Sequence, residues 1–279
     1  MAGAGCSASA GPCRMAIVQP LQAPDYPFMD WQRLATSLML PLLEGGIAPR
    51  LDARCDVYLS ADATGPYLQL TGRQAPGPVR CSLYDPAMAH RRRGGQNELL
   101  GRAVGVHRRS ALRVVDTTAG FAADACVLAD LGACVLICEQ HPLLAALLDL
   151  SMQHLVANPG DWRHPVVSRM SLRSGDSRSL SPAELTAQDV LYLDPMFPSG
   201  RRAASGKGMA LLQQLLSAAP GGSAESLLQW ALAQPVRRVV VKRPLKAPLL
   251  CGLQPSHALV GRSVRFDVYQ LDGGSRNAT

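Results

Sequence analysis

The chain has 279 residues, which is enough for one large α/β domain with a smaller appendage and a sizeable core. Its formal net charge of +7 comes almost entirely from arginine, since lysine occurs only at Lys207, Lys242 and Lys246. Arginine binds phosphates and stacks on bases, so this balance favours a nucleic-acid partner over a membrane surface, although an arginine-rich genome would give the same composition. No apolar run approaches the ~18 residues of a membrane span, and we predict a soluble cytoplasmic protein.

The cysteine pattern does not indicate a metal centre. Eight cysteines are present, and no CxxC pair occurs. Cys126, Cys134 and Cys138 fall in a predicted buried helix and strand, so core thiols in a reducing compartment are favoured over a zinc site or a disulfide framework. We therefore expect no metal.

The N-terminal part of the chain predicts a small α+β subdomain over residues 29–86. Residues 1–28 are rich in small residues and are predicted to be disordered. Three later segments alternate apolar and polar residues and are separated by turn-rich sequences: DVYLSAD, PYLQLTG and VRCSLYD. This pattern predicts a three-stranded antiparallel meander.

A basic connector, residues 87–110, follows this subdomain. Its run of four basic residues precedes two glycines, which would let the backbone approach phosphates closely. A solvated charge run is the alternative. The RNA contacts predicted here are His90, Arg91, Arg92 and Arg93. The connector also contains a predicted short helix around Glu98 to Val104.

Residues 111–272 alternate predicted strands and helices, and residues 273–279 are expected to form a tail. The predicted strands are LRVVD, ACVLICE, PVVSRMSL, DVLYLD, RRVVVK and RFDVYQL. Helical spacing of apolar residues predicts helices over FAADACVLADLG and HPLLAALLDLSMQHLVAN. Strands that are apolar on both faces favour a mostly parallel sheet covered by helices.

Ligands of such sheets bind beyond the carboxyl ends of the strands, and acids stand at these ends. Asp116 ends the first strand and precedes a turn at Gly120; Glu139 ends the second, where a carboxylate can accept from ribose hydroxyls. Asp176 or Ser177 after the third strand could hold the amine of an adenine. GxGxxG and P-loop motifs are absent, so a nucleoside without a pyrophosphate is favoured over NAD or ATP. The alternatives are that Glu139 caps a helix and Asp176 caps a turn.

The fourth strand runs into DPMFP, residues 194–198. A base amine is a poor nucleophile until two acceptors hold its hydrogens, and the Asp194 carboxylate and the Pro195 carbonyl can supply them. Phe197 can stack on the base. Because carboxylates such as Asp116 and Asp194 suit a sulfonium cation, the strand-end pattern suggests S-adenosylmethionine as the cofactor. Alternatively, Asp194 caps a helix and Phe197 belongs to the core.

Two further basic groups lie near the predicted site. Arg201 and Arg202 follow DPMFP in the loop SGRRAASGKG, and we predict that both contact RNA. Lys242 and Arg243 end the fifth strand at the same edge of the sheet as Asp194. Positive charge there could hold the RNA backbone beside the target base, or it could complement nearby carboxylates.

These motifs resemble a known family, the methyltransferase J family of bacterial small-subunit ribosomal RNA (guanine-N2) methyltransferases. The resemblance spans roughly residues 87–269 and is carried by AMAHRRRGG, AVG, DTTAGFAADA, the glutamate of CEQHP, LYLDPMFP, VVVKRP and RFDVY. It implies a Rossmann-like class I methyltransferase fold with a seven-stranded sheet, S-adenosylmethionine as cofactor, and methylation of the 2-amino group of one guanosine in 16S rRNA.

The resemblance also implies where the cofactor binds. The implied contacts are Ala123, Asp124, Glu139, Gln140, Asp176, Ser177 and Asp194. The family usually has glycine and arginine at the positions of Ala122 and Ala123, and arginine at that of Gln140. Two other functions remain open: methylation of an amino group in tRNA or DNA, and a non-catalytic role as an RNA-binding assembly factor of the small ribosomal subunit.

Overall fold

The computed structural model describes residues 13–21, 29–86, 98–106, 112–195, 211, 215 and 223–271. The chain divides into two compact units, residues 1–79 with 205–220 and residues 80–204 with 221–279. Each unit is built on its own β-sheet.

The first unit contains a four-stranded mixed sheet with the order β2-β1-β3-β4. Its strands are β1 (Met15–Gln19), β2 (Leu42–Glu44), β3 (Val57–Asp62) and β4 (Gly65–Leu70). β1 pairs in parallel with β2 and β3, whereas β3 and β4 form an antiparallel hairpin. Helix α1 (Trp31–Leu38) precedes β2, and the Asp30 carboxylate caps it by accepting the Arg33 N–H.

Two predictions for this part of the chain are wrong. The sheet is mixed rather than an antiparallel meander, because Val79 makes only an isolated bridge with Leu68 and Ser82–Tyr84 forms a 3₁₀ turn. Disorder over residues 1–28 is contradicted at β1, which lies between β2 and β3 with Ile17 fully buried. The strands that pair with β1 are distant from it in sequence, so no local sequence pattern predicts this strand.

The second unit contains a seven-stranded sheet with the order β10-β11-β9-β8-β5-β6-β7. Its strands are β5 (Arg113–Asp116), β6 (Cys134–Glu139), β7 (Met170–Ser174), β8 (Val190–Leu193), β9 (Arg238–Pro244), β10 (His257–Val260) and β11 (Val264–Gln270). β11 runs antiparallel to both of its neighbours, and the other pairs are parallel. The predicted mostly parallel, seven-stranded α/β fold is confirmed.

One helix precedes β5, and those that follow lie in the connections between the parallel strands. These helices are α2 (Glu98–Val104), α3 (Ala123–Asp130), α4 (Pro142–Val156), the single turn α5 (His164–Val167) and α6 (Ala224–Leu232). The short helix predicted around Glu98 to Val104 is confirmed. The segment PVVSRMSL begins in α5 instead of a strand, since Pro165 lies in the first turn of this helix and β7 starts only at Met170.

The core of the second unit lies around β5 and β8 at the centre of the sheet. Val115, Leu191 and Tyr192 are fully buried there. Of the predicted core thiols, Cys126 and Cys138 are buried, but Cys134 is exposed at the first position of β6. No helix in the described part of the chain is long and apolar enough to cross a membrane.

Candidate active site

The candidate site lies where the strand order reverses, between β5 and β8. The ends of these strands are tied together by hydrogen bonds. Thr117 donates its N–H and its hydroxyl to the Tyr192 carbonyl at 2.9 and 3.0 Å. The N–H of Asp194 donates to Thr118 Oγ1 at 2.7 Å, and the N–H of Thr118 donates to Asp116 Oδ1 at 3.1 Å. Asp116 and Asp194, the acids at the ends of these two strands, are therefore held in one hydrogen-bonded frame.

A tight turn at Gly120 leads from β5 to α3. Gly120 has a φ of +53°, and a Cβ placed on it would meet nothing within 4 Å. Its N–H donates to Glu139 Oε2 at 2.9 Å. Ala122, at the N-cap of α3, also adopts left-handed backbone with a φ of 59°. This conformation favours glycine, which gives a physical reason for the glycine usual in the family at that position.

Glu139 ends β6 as a buried carboxylate with 5% exposure. Its Oε1 accepts the His141 N–H at 2.7 Å, and its Oε2 accepts the Gly120 N–H. Burial raises the pKa of Glu139, while these backbone hydrogen bonds oppose the rise. Each carboxylate oxygen can accept a second hydrogen bond, so the group can still receive hydroxyl donors. The contact with His141 is also the helix cap named as the alternative, because α4 begins at the next residue.

Lys242 lies between two carboxylates. Its ammonium donates to Asp124 Oδ2 at 2.7 Å and to Asp194 Oδ2 at 2.9 Å. The Tyr192 hydroxyl donates to the same Asp124 oxygen at 2.6 Å. Together with Asp116, these residues form the acidic cluster, defined as Asp116, Asp124, Tyr192, Asp194 and Lys242. Of the two alternatives for Lys242, this geometry matches the one in which it complements nearby carboxylates.

The acidic cluster shifts the pKa values of its members. Burial opposes the charge on Lys242, but the two carboxylates outweigh burial and raise its pKa. Burial raises the pKa of Asp194, and Lys242 opposes this rise. The pKa of Asp116 is raised from 3.8 to about 8, first by burial and then by the charges of Asp124 and Asp194. Asp116 is thus protonated over much of the neutral range.

The raised pKa of Asp116 predicts a stability that falls as pH rises. Between its unfolded value of 3.8 and its folded value of about 8, the folded state holds a proton that the unfolded state releases. The free energy of unfolding should fall by up to about 1.4 kcal/mol per pH unit in this window relative to Asp116→Asn, which carries no such charge. Urea unfolding of both proteins across this range measures the difference. If the difference in the free energy of unfolding between the two proteins stays constant with pH, the raised pKa of Asp116 is contradicted.

The turn after β7 is closed by Asp176. Its carboxylate accepts the Arg178 N–H at 2.9 Å and binds the Arg178 guanidinium at 2.5 Å, which lowers the pKa of Asp176. Ser177 is buried at the start of this 3₁₀ turn. The geometry therefore shows the turn cap that was named as the alternative for Asp176, and its contact with adenine stays a prediction.

The remaining predicted residues fall into three groups. Pro195 is buried directly after Asp194, while Ala123 and Gln140 are exposed beside the strand ends. Arg243 is buried with 4% exposure and donates to the Pro248 carbonyl at 2.7 Å, so its side chain does not lie at a surface where RNA could bind. The predicted residues outside the described part of the chain are His90, Arg91, Arg92, Arg93, Phe197, Arg201 and Arg202.

Two residues of this site were not predicted from the sequence. Tyr192 is fully buried, yet its hydroxyl reaches Asp124; a tyrosine inside an apolar strand signals such a partner, since a buried hydroxyl needs a hydrogen bond. Thr118 holds the backbone of Asp194. Its only signal is its place between Asp116 and Gly120, because a threonine in a turn more often bonds locally.

Comparisons with known proteins agree with this architecture. The model of the SAM-dependent methyltransferase family matches residues 47–271. The crystal structure of a SAM-dependent methyltransferase from Neisseria gonorrhoeae superposes with a TM-score of 0.66 at 29% identity, covering 94% of this chain and 100% of that one. The fold and the strand-end site thus define a SAM-dependent methyltransferase.

Curated relatives narrow this class to one family. A ribosomal RNA small subunit methyltransferase J from Halorhodospira halophila is 42% identical over 243 residues, covering 86% of this chain and 88% of the relative. The protein of that name from Marinobacter nauticus is 40% identical and covers 85% and 86%. The chain belongs to the ribosomal RNA small subunit methyltransferase J family.

The residues at the strand ends fit S-adenosylmethionine. Open space faces the position where a Cβ of Gly120 would lie. The Glu139 carboxylate beside it keeps acceptor capacity for a ribose diol. Nδ1 of the buried His141 makes no hydrogen bond to the described residues. Within those residues no group of three metal-ligating side chains occurs.

Proposed function

We propose that this protein methylates the exocyclic 2-amino group of a guanosine in 16S rRNA, with S-adenosylmethionine as methyl donor. The observation that carries the proposal is Asp194 at the switch point: Lys242 donates to its carboxylate, Thr118 accepts from its backbone N–H, and Pro195 follows directly. The names of the relatives support ribosomal RNA of the small subunit as the substrate.

The chemistry requires acceptors for an amine. The lone pair of the guanine 2-amino group is delocalised into the ring, so the enzyme must hold both hydrogens and aim the lone pair. The Asp194 carboxylate accepts one hydrogen and the Pro195 carbonyl accepts the other. S-adenosylmethionine, when bound, supplies an electrophilic methyl group on a sulfonium. The rate then comes mainly from positioning, and the proton of the methylated amine passes to Asp194 or to water.

The cofactor would be held at the first two strand ends. Glu139 would accept from the ribose hydroxyls, and the turn at Gly120 would let the backbone approach the nucleoside. Asp194 would give the site the negative charge that a sulfonium cation needs, whereas Asp116 is neutral over much of the neutral pH range. The exposed Ala123 and Gln140 would contribute through their backbone groups, since neither side chain carries the charge of the arginine usual in the family.

The RNA would be bound by basic side chains. We assign this role to His90, Arg91, Arg92, Arg93, Arg201 and Arg202, with Phe197 as the platform for the base. The substrate would be the small ribosomal subunit or its RNA, which places the reaction in the cytoplasm. Lys242 is assigned to the acidic cluster instead of the RNA.

The direct test measures transfer of a labelled methyl group from S-adenosylmethionine. The acceptors are small ribosomal subunits that lack this modification, free 16S rRNA, bulk tRNA and duplex DNA. We expect label in the small subunit or its RNA, recovered as N2-methylguanosine after digestion. Label in adenine, or a preference for tRNA or DNA, would refute the proposed substrate. Folded protein that binds S-adenosylmethionine but methylates no acceptor would favour a non-catalytic RNA-binding role.

Substitution of Gly120 tests the cofactor assignment with a matched control. Gly120→Ala and Gly132→Ala each place a Cβ on left-handed backbone with open space around it, and each should cost about 1 kcal/mol of stability. Only the Gly120 methyl projects at the proposed nucleoside site. We expect Gly120→Ala to weaken S-adenosylmethionine binding at least about tenfold in calorimetric titration. Equal affinities of the two variants would argue against the site.

A further inference from the structure

The two carboxylate oxygens of Asp194 are not equivalent. Oδ2 accepts from the Lys242 ammonium at 2.9 Å, whereas no described residue donates to Oδ1. The backbone N–H of Asp194 is held separately by Thr118 at 2.7 Å. The backbone and one oxygen are therefore fixed, and the other oxygen keeps its acceptor capacity.

Lys242 is itself held from the opposite side. Asp124 accepts from the ammonium at 2.7 Å, and the same Asp124 oxygen accepts from the Tyr192 hydroxyl at 2.6 Å. Tyr192 is fully buried in the centre of the sheet, so it is a rigid anchor. A row of hydrogen bonds thus runs from the sheet core through Asp124 and Lys242 to Asp194.

We propose that Lys242 is a positioning residue for methyl transfer: its ammonium fixes one oxygen of Asp194 and leaves the other oxygen to accept from the target amine. Asp124 and Tyr192 hold the ammonium in place. The inference rests on the proposed role of Asp194 in clamping the amine. A point charge with several donors suits this task, since one ammonium can serve two carboxylates at once.

The charges around Asp194 predict opposite changes of its pKa for two different substitutions. Asp194 faces Lys242 from β9, Asp124 from α3, Asp116 from β5 and the Tyr192 hydroxyl from its own strand. Burial raises the pKa of Asp194, Lys242 lowers it, and the charge of Asp124 raises it. Loss of the Lys242 charge should therefore raise the pKa of Asp194, and loss of the Asp124 charge should lower it.

An ionised Asp194 accepts the amine hydrogen much more strongly than a protonated one, so we expect activity to fall as pH falls through this pKa. The experiment measures kcat and KM from about pH 5 to 9 for the native protein, Lys242→Met, Lys242→Arg and Asp124→Asn. Lys246→Met is the matched control, because Lys246 is an exposed lysine just beyond the same strand.

We expect Lys242→Met to lower kcat about 100-fold with little change in the KM for RNA, and to move the acidic limb of the profile to higher pH. Lys242→Arg should recover much of kcat, since it keeps the charge. Asp124→Asn should move the limb to lower pH, and Lys246→Met should match the native profile. Opposite shifts from two neighbouring substitutions would not result from general damage to the fold.

A second readout needs no substrate. Carbon-13 NMR of aspartate-labelled protein follows the titration of Asp194, with its signal assigned by its loss in Asp194→Asn. If Asp194 titrates in Asp124→Asn as it does in the native protein, and the acidic limb does not move, the proposal is overturned even if Lys242→Met fails to fold. If the Asp194 titration shifts in the variants but the native protein methylates no RNA, the proposed function is refuted, while the effect of Lys242 on Asp194 is supported.

Discussion

Asp194→Asn is expected to lower kcat about 10²–10³-fold, the loss typical for removal of one preorganised electrostatic partner from an active site. Asparagine keeps the shape of the side chain but loses the negative charge that polarises the amine. Among the described residues, it also leaves Lys242 with Asp124 as its one carboxylate partner. Binding of S-adenosylmethionine should change less than kcat, because we propose that Glu139 and the turn at Gly120 make the nucleoside contacts.

Single-turnover methylation of small ribosomal subunits measures this effect, with calorimetric titration of the cofactor beside it. Asp194→Glu should also be slow, since it keeps the charge but moves the carboxylate by one methylene away from the Pro195 carbonyl. Asp149→Asn is the control, because Asp149 is an exposed acid on α4 whose carboxylate accepts from the Gln153 side chain and from no other described residue. Near-native turnover by Asp194→Asn would remove the clamp from the mechanism.

Glu139→Gln is expected to raise the Kd for S-adenosylmethionine and for S-adenosylhomocysteine about 10–100-fold. A hydrogen bond to a charged group contributes about 1.5–3 kcal/mol, and each 1.4 kcal/mol changes affinity tenfold. Both ligands should be affected alike, since they share the ribose and differ only at the sulfur. At saturating cofactor, kcat should fall much less than Kd rises.

The control for this variant is Glu44→Gln, an exposed acid that ends β2 in the other unit. Glu139 also accepts the N–H groups of Gly120 and His141, so a melting curve must show that the variant is folded. Glutamine retains one carbonyl oxygen for these bonds. An unchanged Kd in a folded variant would leave Glu139 as a helix cap and a support for the Gly120 turn.

The main sheet could be predicted because its strands are continuous apolar runs that end in polar residues. LRVVD and DVLYLD correspond closely to β5 and β8, and RRVVVK to most of β9. The four-residue strand β10 was not predicted, since its exposed HALV carries no run of buried residues. The third strand of the meander was predicted but does not form. VRCSLYD alternates apolar and polar residues like a strand, but after Val79 the chain forms a 3₁₀ helix instead.

The sequence predicted the acids of the candidate site but not the role of Lys242. Acids at strand ends follow from the general rule for parallel sheets, so Asp116, Glu139 and Asp194 could be chosen from sequence. Lys242 and Arg243 are neighbours with the same charge, and from sequence both were candidates for RNA binding, with pairing to nearby carboxylates as the alternative. Successive side chains of a strand point to opposite faces, and here one meets the acidic cluster while the other is buried beside Pro248.

By itself, the sequence determined the class of fold, the edge of the sheet that carries the site and the acids that stand there. These follow from apolar periodicity and from the residues that end each run, which are local properties of the chain. Only the tertiary structure decided that β1 joins a mixed sheet and that Asp124, Tyr192 and Lys242 converge on Asp194. Those contacts join residues 48 to 118 positions apart, and their geometry depends on how the strands pack.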